Sequence, residues 1–260
     1  MQSRYYDPVT CKFINADDPR IILTDIYNVK SIYIWDYCEF SPVIHIDPEG
    51  YKIRLVGTSA NRTKILGELR KITNSALAMN KNGFVTIIQS ANKNSKYKKG
   101  DKLIERVINS KYTCTIQIQT KKGNYITYDN QSAASISGSH SKIWFNPNSD
   151  PSIQTINPSD GIVAYYGSRP SYIGLAHELI HADRSMRGVR IPSNQRANYT
   201  YLGRYKKHIG GNKTVYSSMR IAANEKKEEL ATVGIKFNKS GDITENMIRK
   251  EHGLWLRGAY

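Results

Sequence analysis

The residues best suited to chemistry are the five from 177 to 181, which read His-Glu-Leu-Ile-His. On a helix, His177 and His181 lie one turn apart on the same face, so both imidazoles can bind one metal ion. Glu178 then stands beside that ion, where its carboxylate can accept a proton from water. This spacing is typical of a zinc hydrolase, but a buried helix with two hydrogen-bonded histidines would give the same string.

The flanking sequence predicts that this string lies on an amphipathic helix. Ser171 is the predicted N-cap and Gly188 the predicted stop, and apolar residues recur between them at helical spacing. In this pattern Leu179 and Ile180 face the core, whereas the two histidines face a cleft. The helix would therefore present both imidazoles to a substrate.

The composition limits the class of protein. The 260 residues are enough for one or two domains with ordinary cores. No apolar run is long enough to span a bilayer. The three cysteines are odd in number and unpatterned, so they predict neither a disulfide framework nor a cysteine zinc site. Cys114 lies in an alternating apolar stretch and is predicted to be a core thiol.

The balance of charge changes sign near residue 50. The formal net charge is +16, yet residues 1–50 hold 4 Lys/Arg against 8 Asp/Glu. The remaining residues hold 34 against 14, and this jump predicts a domain boundary. Such a basic domain could bind nucleic acid or an anionic surface. Its basic residues are scattered through polar turns such as 92–102, so we expect a general attraction to acidic partners instead.

Beyond residue 50 the periodicity predicts an α+β fold. The predicted elements are a helix at 63–77, strands at 84–88, 113–118, 125–128, 142–145 and 161–166, a polar loop at 146–160, and a last helix at 218–235. A mixed sheet beside the histidine helix is the arrangement of a zincin-like metallopeptidase domain. In that fold the edge strand of the sheet lines the substrate cleft.

A catalytic zinc site needs a third protein ligand besides the two histidines. The predicted last helix contains Glu225, Glu228 and Glu229. Residues 228 and 229 point about 100° apart on a helix, so only one of them should face a metal. The residues alone leave the choice open, because Glu-Lys-Lys-Glu-Glu is also common on a solvated helix.

Peptide hydrolysis also needs a donor for the charge that develops on the carbonyl oxygen, and this donor is often a tyrosine or histidine. The candidates between the predicted ligand helices are Tyr199, Tyr201, Tyr205, His208 and Tyr216. Asp183 and Asn224 are candidates for orienting a ligand histidine.

Residues 1–50 carry a resemblance to a known family. RYYDP, KFINADDP and PVIHIDPEG resemble the last repeat of an Rhs-repeat-associated core, the end of the β-rich shell of polymorphic toxins. The resemblance implies a short β-rich remnant, an upstream Rhs shell, a toxin domain at 51–260 and a cognate immunity protein. Family members can cleave themselves at this junction, here Asp47, Gly50 and Tyr51, where Tyr51 replaces the usual leucine. Asp47 would otherwise be a turn residue.

A second resemblance concerns the C-terminal part of the chain. HELIHADRSMRG, EELATVG and TENMIRKEHGLWLRGAY resemble the NleD-like family of effector zinc metallopeptidases. The resemblance implies that His177 and His181 are zinc ligands and that Glu178 is the general base. It also implies that a glutamate of EELATVG is the third ligand, for which we take Glu229, with Glu228 in reserve.

These observations predict a zinc endopeptidase that forms the toxin tip of an Rhs-type secreted effector. It would be delivered into a target cell and cleave a protein there, with Zn²⁺ as its cofactor. A nuclease tip would suit the basic charge, but the sequence has neither a carboxylate-rich metal site nor a paired-histidine nuclease motif. Nucleic acid is therefore not an expected partner. A binding module with an inactive site is the other alternative.

Overall fold

The computed structural model describes residues 6–7, 12–13, 53–129, 138–208 and 214–260. The chain divides into two compact units, Met1–Gly50 and Tyr51–Tyr260. In the first unit the described residues form one antiparallel pair, β1 (Tyr6–Asp7) with β2 (Lys12–Phe13). The predicted junction at Asp47, Gly50 and Tyr51 lies outside the described residues, as does most of the predicted Rhs-like segment.

A six-stranded mixed sheet forms the base of the second unit. Its strands are β3 (Ile53–Val56), β4 (Ala76–Met79), β5 (Phe84–Gln89), β6 (Cys114–Ile118), β7 (Tyr125–Tyr128) and β8 (Ser141–Phe145). They lie in the order β4-β5-β3-β6-β8-β7. The pairs β3/β6 and β6/β8 are parallel and the others are antiparallel, so β7 is an antiparallel edge strand.

The core lies between this sheet and three helices. These are α1 (Ser59–Ile72), α2 (Lys98–Ile108) and α3 (Ser171–Met186). Their apolar side chains join those of the sheet in one cluster. Cys114 is fully buried in it, which confirms the predicted core thiol, and burial raises the pKa of that thiol to about 12. Every residue of α3 from 173 to 186 is buried, so its polar side chains need partners inside the protein.

A second, four-stranded sheet follows in the chain. Its strands are β9 (Ser152–Ile156), β10 (Val163–Ser168), β11 (Arg196–His208) and β12 (Thr214–Lys226), in the order β12-β11-β10-β9. The last two pair antiparallel over their whole length and form a long hairpin. Two short helices, α4 (Lys227–Val233) and α5 (Glu245–Glu251), complete the unit. None of the described helices is both long and apolar enough to cross a membrane.

The α+β class agrees with the prediction, and several predicted elements need correction. Helix α1 ends at Ile72, and Leu77 belongs to β4 instead of to the first helix. Strand β9 lies inside the segment predicted to be a loop. Helix α2 is absent from the predicted elements because its first turn is rich in lysine and resembles a surface turn. Its apolar residues, which begin at Leu103, are buried.

The largest error concerns the predicted helix at 218–235. Residues as far as Lys226 form β12, and only Lys227–Val233 are helical. Pairing with β11 overrides the helical propensity of this segment, because a ladder of backbone hydrogen bonds outweighs a weak local preference. Glu225 therefore lies on a strand, whereas Glu228 and Glu229 lie in the first turn of α4.

Candidate metal centre

Helix α3 holds the histidine string rigidly because both of its ends are fixed. The helix begins at Ser171, and its N-cap is Pro170, one residue before the predicted cap. Ser171 instead donates a hydrogen bond from Oγ to Glu68 at 2.5 Å. Gly188 follows the helix with φ of +66°, a conformation that favours glycine, so it acts as the predicted stop. The Val189 amide then donates to the Arg184 carbonyl at 3.0 Å and closes the last turn.

Three metal-binding donor atoms from two helices surround a common position. The His177 and His181 Nε2 atoms are 3.2 Å apart, and Glu229 Oε2 lies 3.2 Å from each of them. Within the described part of the chain, these residues form the single cluster of three or more His, Cys, Asp or Glu suited to a metal ion. The structure therefore brings together the two predicted histidines and the glutamate chosen as third ligand.

The separations of these three donor atoms are compatible with a zinc ion. Zinc lies about 2.0–2.2 Å from nitrogen and oxygen ligands, so tetrahedral ligand atoms are about 3.3 Å apart. The three separations of 3.2 Å match that edge length. The electrostatics agree as well: burial lowers the pKa of both imidazoles, but Glu229 and neighbouring carboxylates outweigh it and raise both, that of His181 to about 10. A field that favours a proton on these rings also favours a metal cation.

Each histidine is oriented through its other ring nitrogen. His177 Nδ1 lies 2.9 Å from Glu245 Oε2, and His181 Nδ1 lies 3.3 Å from Glu228 Oε1 and 3.2 Å from Thr232 Oγ1. A carboxylate that accepts the Nδ1 proton leaves the Nε2 lone pair free for a metal. Burial raises the pKa of Glu245, but its hydrogen bond to His177 and the charge of Arg257 outweigh this and lower it to about 2.

The two adjacent glutamates of α4 have different partners. Both oxygens of Glu228 accept hydrogen bonds from Arg184, at 3.0 and 3.1 Å, and Oε2 also accepts the Ile191 amide at 2.8 Å. Glu228 therefore supports His181 from the side, whereas Glu229 turns toward both Nε2 atoms. The difference in direction follows from the angle between consecutive helical residues.

Glu178 is buried beside the three donor atoms and is only 5% exposed. Burial raises the pKa of its carboxyl group above the ordinary value, although the two histidines pull in the opposite direction. A carboxylate with a raised pKa is a better proton acceptor near neutral pH than an exposed one. The geometry and environment suit a general base.

A cleft of about 240 Å³ gives access to these residues. Tyr125, Ile126 and Tyr128 of edge strand β7 form one wall. Two larger concavities, of about 570 and 490 Å³, lie at the hairpin and near residues 74–96, away from the cluster of metal-binding type. Both histidines line the cleft, as the sequence predicted, and both are buried, at 2% and 4% exposure.

Tyr260 lines the same cleft and was not among the predicted tyrosines. Its ring lies 6.0 Å from that of His177 and 4.1 Å from the guanidinium of Arg257. Burial, reinforced by a hydrogen bond with Glu229, raises the pKa of its phenol, which therefore stays a hydrogen-bond donor. Its backbone amide donates to the Tyr199 hydroxyl at 3.0 Å. Sequence separation hid this residue, since it is 79 positions from His181.

The other sequence candidates for a donor lie on the hairpin. Tyr199 supports Tyr260, Tyr201 accepts from Gln154 at 3.2 Å, and Tyr216 is 61% exposed. The backbones of Tyr205 and His208 belong to β11. Tyr199, Tyr201 and Tyr216 are not among the described residues that line the cleft.

The two residues predicted to orient a histidine have other partners. Asp183 pairs with Arg187 at 2.9 Å and with Arg106 at 3.7 Å. Asn224 bonds Arg196 and Asn198 on the hairpin. Glu245 and Glu228 hold the histidines instead. The only sequence signal for Glu245 was its position in the quoted TENMIR string.

Comparison with known proteins places the chain in a family. Residues 57–260 match Peptidase_M91, a family described as effector protein. No curated protein matches the chain. The match spans most of the second unit and includes the histidine helix, Glu229, Glu245 and Tyr260. This protein therefore belongs to the Peptidase_M91 family of effector proteins and is a peptidase-type effector.

Proposed function

We propose that this protein is a zinc-dependent endopeptidase of zincin-like architecture that cleaves a protein of the cell it enters. One observation carries the proposal: three donor atoms with mutual separations of 3.2 Å lie beside a buried carboxylate in a cleft. The peptidase family supports the reaction class. In this proposal His177, His181 and Glu229 hold Zn²⁺, and Glu178 is the general base.

The reaction follows from the side chains around the cleft. Bound Zn²⁺ supplies a Lewis acid that polarises a peptide carbonyl and acidifies water. Glu178 removes the proton of the attacking water and then delivers it to the leaving amine. Glu245 and Glu228 keep the Nδ1 protons of the two histidines in place, so that each Nε2 lone pair stays available.

We assign the donor for the developing carbonyl charge to Tyr260. Its phenol lines the cleft, is kept protonated by burial and hydrogen-bonds Glu229, so it lies close to the reacting groups. Arg257 covers its ring at 4.1 Å and restricts its orientation. A donor fixed before the reaction stabilises the transition state more than a mobile one.

The substrate would bind as an extended peptide along β7. This strand is paired with β8 on one side and is at the edge of the six-stranded sheet. A peptide that adds to a free edge gains backbone hydrogen bonds without any demand on its sequence. The side chains of β7 that line the cleft would then contact the bound peptide.

We also propose that residues 1–50 are the end of an Rhs-associated core and that residues 51–260 are the toxin domain. The change of charge at residue 50 and the two compact units support this division. The protein would then be secreted with an upstream Rhs shell, and its producer would carry an immunity protein. Self-cleavage at Asp47, Gly50 and Tyr51 stays a prediction, which N-terminal sequencing of any released fragment would test.

The test of the function is Glu178→Gln, compared with the exposed Glu105→Gln as a charge-matched control. We expect stoichiometric zinc in both variants, and a loss of about 10²- to 10⁴-fold in new protein N-termini generated by Glu178→Gln in target-cell extracts. Cleavage that survives this change would refute the peptidase. Absence of zinc would indicate a structural histidine helix, and degradation of added plasmid would indicate a nuclease.

A further inference from the structure

Arg190 lies in the wall of the cleft, and the proposed reaction gives it no role. It lines the cleft together with Glu178 and Glu229, although it is nine residues from the nearest histidine in sequence. Its guanidinium lies 3.8 Å above the ring of Tyr128, on the edge strand β7. A positive charge therefore stands where a peptide bound along β7 would pass.

The backbone around Arg190 is held on both sides. The carbonyl of Val189 accepts a hydrogen bond from Arg184 at 3.3 Å, and the amide of Ile191 donates to Glu228 at 2.8 Å. The same arginine and glutamate form the buried pair behind His181. Arg190 is thus fixed to the frame of the candidate metal centre, which reduces the entropy lost when it binds a ligand.

Arg190 has no anionic partner in the described part of the chain. No ion pair or hydrogen bond of its side chain is formed there, and its Nε is buried without an acceptor. Three carboxylates line the cleft with Arg190: Glu228 binds Arg184, Glu229 contacts both histidines, and Glu178 is the proposed general base. The undescribed internal segments 130–137 and 209–213 contain no Asp or Glu.

An arginine stacked on an aromatic ring keeps one edge of its guanidinium available for other bonds. Its planar N–H groups match the two oxygens of a carboxylate, and stacking fixes the plane in which they point. A buried nitrogen without an acceptor is costly and gains the most from a ligand that supplies one. The stacking on Tyr128 orients the guanidinium, and the Nε without an acceptor provides a donor, so together they suit the binding of an anion.

We propose that Arg190 and Tyr128 form a substrate subsite for a carboxylate, so that the peptidase selects peptides by a negative charge close to the scissile bond. The proposal rests on the proposed endopeptidase function and specifies its substrate class. Lys226, which is exposed and lines the same cleft, adds a second positive charge. The carboxylate can belong to an internal Asp or Glu side chain or to the C-terminus of the peptide.

The experiment uses the full chain and a degenerate synthetic peptide library, prepared with free and with amidated C-termini. Cleavage products are sequenced for the wild type, Arg190→Gln, the charge-retaining Arg190→Lys, and Lys93→Gln as an exposed control outside the cleft. The same library is captured on Glu178→Gln and on the double variant Glu178→Gln/Arg190→Gln. Capture reports binding without any need for turnover.

We expect wild-type cuts and captured peptides to be enriched in Asp or Glu at one fixed position. If the carboxylate belongs to an Asp or Glu side chain, this enrichment appears in peptides with a free and with an amidated C-terminus. If it belongs to the C-terminus of the peptide, cuts occur at a fixed distance from a free C-terminus and amidated peptides are not cut. Arg190→Gln should lower kcat/KM for acidic peptides by about 10- to 100-fold and that for neutral peptides much less, because one charge-assisted contact is lost. Arg190→Lys should retain part of the preference, and Lys93→Gln all of it.

Two results would overturn the subsite. One is a wild-type profile without acidic enrichment or a C-terminal rule, in cleavage and in capture. The other is a preference that Arg190→Gln leaves intact. Either result with an inactive Glu178→Gln variant leaves the peptidase standing, whereas cutting by Glu178→Gln at the wild-type rate removes the function itself.

Discussion

Two parts of the second unit differ in how deeply their side chains are buried. Around α3, α4 and α5, Arg184 and Glu245 are almost fully buried, and each of these two has a partner of opposite sign. On the β11–β12 hairpin, even large apolar side chains such as Tyr216 and Met219 are about half exposed, at 61% and 48%. The hairpin ion pair between Arg196 and Glu225 is long, at 3.8 Å.

The difference shows where geometry is strictly determined in this protein. A buried charge without a partner costs several kcal/mol, so the groups behind His177 and His181 permit one arrangement. The hairpin is held mainly by its own backbone ladder, and its side chains are free to vary. The side-chain arrangement is most strictly fixed where a metal and a substrate would be bound.

The largest loss of stability is expected from removal of a buried arginine. Arg184 is 1% exposed and pairs with both Glu228 and Asp242. We expect Arg184→Ala to lower the free energy of unfolding by about 3–5 kcal/mol, because it leaves buried carboxylates unpaired. On the hairpin, Arg196→Ala should cost about 1 kcal/mol or less. Urea unfolding of both variants measures the difference, and equal losses would contradict the distinction.

The second prediction concerns the donor in the cleft. Tyr260→Phe should reduce kcat by about 10²- to 10³-fold, the cost of one lost transition-state donor, with KM and zinc content unchanged. Steady-state kinetics and metal analysis distinguish donation to the substrate from positioning of the metal-binding Glu229. If zinc is lost and excess zinc restores kcat, the phenol positions Glu229 and is not a donor to the substrate.

The third prediction tests a partner of the histidines. Glu245→Gln keeps the shape of the side chain but weakens the acceptor of the His177 Nδ1 proton, which lies 2.9 Å away. We expect zinc affinity to fall by about 10- to 100-fold. Competition with a metal chelator measures this, and the exposed Glu105→Gln serves as control. Unchanged affinity would mean that Arg257 and not His177 is the main partner of Glu245.

The smallest effects are expected on the hairpin. Tyr216→Ser and Met219→Gln remove large exposed apolar side chains, so each should change the free energy of unfolding by about 0.5 kcal/mol or less. Peptide cleavage should be unaffected, because neither residue lines the cleft. Thermal unfolding and the peptide assay check both points. A selective loss of cleavage would reveal a substrate contact outside the cleft.

The sequence predicted features that depend on short spacing. The four-residue interval between the histidines and the neighbouring Glu178 lie on α3, and the predicted stop at Gly188 follows it. Strands β6 and β8 were predicted within one residue, since their apolar alternation is local. The choice of Glu229 came from a family resemblance, because spacing alone left three glutamates open.

The long hairpin shows the limit of such patterns. Its second strand lies within a stretch predicted as helix, and no local signal distinguished the two states. Pairing with β11 decided the matter through backbone hydrogen bonds between residues as much as 30 positions apart. Glu225 was lost as a candidate ligand for this reason.

The sequence alone was enough to predict the two histidines with the adjacent Glu178 and the α+β class, because these follow from local spacing and periodicity. The groups that surround the histidines could be identified only from the folded chain. Glu245 comes from a distant part of the chain to contact His177, and Tyr260 and Arg190 line the cleft beside the histidines. Burial forces such groups to find partners of opposite charge, and burial depends on how the whole chain packs.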